Sequence, residues 1–134
     1  MKIDPSPPVP SPNAFLLCDQ AIKEEKTGKV SLIGIFENVN AKAFPVQHAA
    51  LTLYLKSSGA EGKYSWRCEL VRMEDEMVIM SQDIGETDHK DRLATQEMLI
   101  TIASIIFERP GRYEFRIYAN ESIVGSKTFK VLES

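Results

Sequence analysis

The sequence predicts an all-β protein, an antiparallel β-sandwich of about eight strands with an extra hairpin at its N-terminal end. Three observations carry this. Tyr113, Phe115 and Ile117 alternate with Arg112, Glu114 and Arg116, which gives one strand an apolar face and a charged face. Tyr64, Trp66, Cys68 and Leu70 alternate in the same way with Ser65, Arg67 and Glu69. Leu51, Leu53 and Leu55 alternate with Thr52, Tyr54 and Lys56. Strands of this kind cover a core on one side and meet water on the other.

The remaining elements follow along the chain. Pro5-Ser6-Pro7-Pro8-Val9-Pro10-Ser11-Pro12 has fixed φ angles and few donors, so residues 1–13 read as an extended arm and residues 14–134 as one sandwich domain. Phe15 to Glu24 and Lys29 to Val39 are apolar runs joined by Glu25-Lys26-Thr27-Gly28, a hairpin with Gly28 at positive φ. Gly34 interrupts the second run and marks a bulge or a close backbone approach. Asn38 to Pro45 reads as a loop. Asp83 to Arg92 reads as a long polar loop, a place where function often sits. Leu93 to Phe107 begins with a stretch compatible with a helix, but its β-branched Ile100-Thr101-Ile102 and Ile105-Ile106 predict a strand. In the last strand Phe129 and Val131 share a face with Lys127, and a bulge near Gly125-Ser126 would turn Val124 inward instead.

Composition narrows the function classes. The chain has 134 residues, 43% hydrophobic and 26% charged, with net charge −3. A nucleic-acid module usually carries a basic face, and no Lys/Arg run supplies one here. The longest apolar stretch, Met98 to Phe107, is broken by Thr101 and Ser104 and is too short for a membrane span. Met1-Lys2-Ile3-Asp4-Pro5 lacks the apolar region of a signal peptide, so a cytoplasmic location is expected. Cys18 and Cys68 sit in apolar runs and read as buried, reduced thiols. His48 and His89 are isolated and offer no zinc-ligand spacing.

Gly111-Arg112-Tyr113-Glu114-Phe115 resembles the tyrosine-corner region of immunoglobulin-like sandwiches. By that resemblance Phe115 takes the place of the antibody cysteine, Leu53 lies opposite it, and Trp66 is the core Trp of a third strand. The cysteine pair is missing and the first hairpin is extra. The run Leu16-Leu17-Cys18-Asp19, continued by Thr27-Gly28-Lys29-Val30-Ser31-Leu32-Ile33-Gly34-Ile35-Phe36, then Phe44-Pro45 and the closing Gly-x-Tyr-x-Phe hairpin, resembles a family of small bacterial proteins of unknown function. That resemblance implies a bacterial cytoplasmic sandwich and brings no activity, cofactor or catalytic residue with it.

Candidate chemistry is sparse. Asp19 lies among apolar residues, where desolvation would raise its pKa as in a general acid or base, or it reaches solvent at a sheet edge. Asp83, Glu86, Asp88 and Asp91 with His89 crowd one segment, but their spacing is not that of a calcium loop. The expectation is a non-enzymatic interaction module without cofactor or metal. It would bind a protein partner or another protomer, and neither nucleic acid nor membrane. Its candidate contacts are Pro7, Pro8, Val9 and Pro10 of the arm, Asp83, Glu86, Asp88 and His89 of the polar segment, and outward-facing Tyr54 and Tyr118. The alternatives are a small-molecule or carbohydrate binder using end loops near Tyr54 or Tyr118, and an enzyme.

Overall fold

A computed structural model describes residues 6–134, which form nine strands. These are β1 (Ser11–Lys23), β2 (Val30–Ile35), β3 (Asn38–Ala41), β4 (Val46–Ser58), β5 (Gly62–Arg72), β6 (Met77–His89), β7 (Thr95–Phe107), β8 (Gly111–Ala119) and β9 (Ser122–Glu133). They build two sheets, one ordered β2-β1-β4-β7 and the other β3-β9-β8-β5-β6. The two sheets make an all-β sandwich, as expected. The first five residues of the expected arm lie outside the described ones, and β1 begins at Ser11, before the expected end of the arm.

Alternation sorts the core as the sequence predicts. Leu51, Leu53, Leu55, Tyr64, Trp66, Cys68, Leu70, Tyr113, Phe115, Ile117, Phe129 and Val131 are all buried in one cluster between the sheets. Phe107 meets Tyr113 edge-on at 5.0 Å, and Phe129 stacks on Phe115 at 5.4 Å. Aromatic pairs in these geometries add to their burial energy, and deleting one such ring costs roughly 3–5 kcal/mol. The Tyr113 hydroxyl stays satisfied by donating to the Arg109 carbonyl at 2.6 Å.

Several local expectations hold. Lys23 pairs with Val30 across the first hairpin, with Gly28 at φ 70°. Leu93 to Phe107 yields strand β7, with no helix. Ser104 at φ 57° is the irregular point that lets both Ile102 and Ile105 face the core. The β8–β9 register slips between Ile117 and Tyr118, so Val124 is the extra residue and is buried. Lys127 stays opposite Phe115 on the inner side and escapes by reaching Glu37 at 3.0 Å.

Other expectations need correction. Asn38 to Pro45 is not all loop, because β3 pairs with β9, in parallel, from Asn38↔Lys130 to Ala41↔Glu133. Asp83 to His89 is not loop either. It is the second half of β6, paired with β5 from Arg67↔Asp83 to Gly62↔His89. Because β6 ends its sheet, its carboxylates keep their water while the backbone pairs on one side.

Candidate functional site

The two sheets leave an open side between β6 and β7, the last strands of their respective sheets. A cleft of about 430 Å3 runs there, lined chiefly by Met77, Val78, Met80, Ala103, Ile105 and Ile106. Met77, Val78 and Ile106 are 55%, 48% and 53% exposed, a large apolar surface for residues inside strands. At one end Arg72 is buried, donating from Nε and Nη2 to the two Asp75 oxygens at 3.0 and 2.8 Å. Asp75 also meets Arg109 at 3.2 Å. The Arg72 hydrogen bonds hold the Asp75 carboxyl down at about 2. The charged end is thus self-neutralised, and the cleft offers apolar contact.

No candidate from the sequence lines this cleft. Met77-Val78-Ile79-Met80 lacks alternation, and such a run puts apolar side chains on both faces of a strand. That was the available signal. The β7 half has none, since Ala103 to Ile106 reads as ordinary strand until the fold sets it beside β6.

The candidates fall elsewhere, partly together. Glu86 and Asp88 line a second cleft with Lys63, Tyr64 and Thr87. Pro7, Pro8 and Val9 line a third with Tyr64, Asn120 and Ser122. Tyr64 therefore gathers the arm and the acidic half of β6 at one end of the sandwich. Its hydroxyl donates to the Pro8 carbonyl at 2.6 Å, Pro10 is buried, and the His89 ring lies 5.7 Å from the Tyr64 ring. Thr87 Oγ1 accepts from Trp66 Nε1 at 2.7 Å and lies 2.7 Å from His89 Nε2. Asp83 stands apart, exposed on β6 opposite Arg67.

Tyr54 and Tyr118 sit on opposite outer faces, and neither lines any of these three clefts. Tyr54 is not exposed. At 9% accessibility in a central strand it donates to Glu97, and burial followed by that carboxylate pushes its hydroxyl up to about 12. Tyr118 carries the Arg67 guanidinium 4.2 Å above its ring. Hydrogen bonds donated to Glu121 and then to Glu69 hold the Arg67 proton more firmly than usual. Asp19 is exposed, its carboxylate lying against Gly34. Among the described residues no group of three or more His, Cys, Asp or Glu is placed to hold a metal ion, and no helix is long and apolar enough to cross a membrane.

Fold and cleft together define a two-sheet β-sandwich with an apolar groove along its open side. The chain belongs to a family of unknown function (DUF6941), matched over residues 13–132. Among curated proteins no sequence matches it. Among solved structures it is similar to the Pseudomonas fluorescens alkylpurine DNA glycosylase AlkC bound to DNA containing an abasic site analog, at 12% identity and a TM-score of 0.44. That similarity covers 73% of this chain and 28% of the glycosylase, and at this level it carries no argument.

Proposed function

We propose that this protein is a non-enzymatic interaction module that docks a protein partner along the open side of its sandwich. The observation that supports this reading is the β6–β7 cleft, where exposed Met77, Val78 and Ile106 lie beside a strand edge. An extended segment added to a sheet edge gains main-chain hydrogen bonds, and apolar pockets beside that edge select its side chains. The reading includes a cytoplasmic setting, supported by Cys18 and Cys68, both free and buried.

A second reading, a small apolar ligand, has one observation in its favour. A volume of about 430 Å3 falls within the usual range for ligand pockets. A photo-crosslinking residue at position 78, compared with one at position 112 on the outer face of the same sheet, away from the cleft, separates the two. Protein docking predicts a discrete protein adduct in cells from position 78 alone. Equal labelling from both positions, or none from position 78, rejects it.

A further inference from the structure

Four strands end the two sheets, and three of them are blunted. β3 has four residues, and β2 has six with Gly34 at φ 70°. β6 carries Asp83, Glu86 and Asp88, and its register with β5 shifts twice. Short length, charge and bulges are how sheet edges avoid pairing with other chains. β7 is regular from Thr95 to Ala103, before its one irregularity at Ser104 (φ 57°). It has 13 residues, Glu97 is its sole charge, and Met98 to Phe107 contains neither charge nor proline. Its register with β4 runs without a shift from Val46↔Phe107 to Ser58↔Thr95.

The outer face beside this edge is also neutral. Cross-strand partners share a face, so the rows Leu16–Tyr54–Leu99, Cys18–Thr52–Thr101 and Ala50–Ala103 lie on the outside of the β2-β1-β4-β7 sheet. Lys56 and Glu97 stand opposite each other in the register, and Glu97 accepts a hydrogen bond from Tyr54. The other sheet differs, because its outer face carries Arg67, Glu69, Arg112, Glu114 and Arg116, most of them in ion pairs. An ion-paired face stays in water, whereas a face whose only charges beside the edge are one Lys and one Glu, of opposite sign, does not repel its own copy.

We infer that β7 pairs antiparallel with β7 of a second copy, joining two four-stranded sheets into one of eight. This rests on the reading above only in taking the open side as a protein-contact surface. A second copy fits for a specific reason. A two-fold axis perpendicular to the sheet keeps outer faces outer, so it must pass between one residue of the strand and the same residue of its copy. With the axis at residue 99 or 100, Glu97 falls opposite Thr101 or Ala103 of the copy, both on the outer face and before the irregularity at Ser104. Both are uncharged, so neither register opposes like charges. The strand thus carries both an open edge and the uncharged, β-rich sequence suited to pair with it.

Sedimentation equilibrium of the full chain across a concentration series tests this. The expected result is a shift from 15.1 kDa to about twice that mass, on the two-fold pairing usual for homodimers. Leu99→Lys, and separately Thr101→Glu, should raise the dissociation constant at least about tenfold by charging the paired edge. Ile123→Lys, at an exposed position at the start of β9, should leave it unchanged, and melting curves confirm that each variant folds. A chain that stays monomeric, or a dimer indifferent to both β7 substitutions, overturns the inference. A monomer that still crosslinks a different protein from position 78 overturns it while leaving the docking function intact.

Discussion

The Tyr64 hydroxyl donates a 2.6 Å hydrogen bond to the Pro8 carbonyl and accepts one of 3.0 Å from the Glu61 backbone N–H. One phenol thus ties the proline arm to the start of β5, close to Gly62, where an added Cβ would come within 3.3 Å of Pro7. Tyr64→Phe should cost about 1 kcal/mol, the usual net worth of a hydrogen bond. Deleting residues 1–9 should remove most of that difference. Urea titrations of the four proteins give the coupling, and additive losses would mean that the arm and the hydroxyl act independently.

Gly34 lies in the left-handed region at φ 70°, and its missing Cβ is the space taken by the Asp19 carboxylate. Gly34→Ala should destabilise by about 1–3 kcal/mol through backbone strain plus the clash. Adding Asp19→Ala should recover only the steric part. Full recovery in the double variant would mean that φ carries no cost here.

The Asp75 carboxyl, held at about 2 chiefly by Arg72, links stability to pH. Its folded value lies below the ordinary unfolded value of about 3.9. Its contribution is therefore present above about pH 4 and is lost as the pH falls toward 2. Asp75→Asn should lower stability at pH 7 and flatten the dependence between pH 4 and 2. Parallel curves for wild type and variant across that range would rule this out.

Burial pushes the Cys68 thiol up to about 12 and raises Cys18 as well. Neither should react with a disulfide reagent at pH 8 while the protein is folded, because the thiolate is the reactive form. Both thiols of the chain should titrate in denaturant. Rapid labelling of one thiol in the native protein would show that its strand opens readily.

Period-two alternation made the core legible in the sequence. Leu53, Trp66 and Phe115 are buried because each lies on the apolar parity of a strand covered by the opposite sheet. The bulge at Val124 was legible too, as a conflict of parity at Lys127. The acidic half of β6 was not, because an edge strand tolerates the composition of a loop. Alternation puts Tyr54 on the outer face, but central strands shade their outer side chains, and Glu97 caps its hydroxyl. Nothing local marked the cleft. It exists because Met77 and Val78 meet Ala103 and Ile106 from the other sheet, a relationship set by topology.

Backbone hydrogen exchange of the purified chain, at about 1 and 100 µM, tests the docking edge most directly, because it reads which amides a partner covers. The expected result is slower exchange along Met98–Ala103 at the higher concentration, with β2, β3 and the far face of the other sheet unchanged. Exchange along β7 that is independent of concentration, or new protection centred on Arg67 and Arg116, would contradict the account.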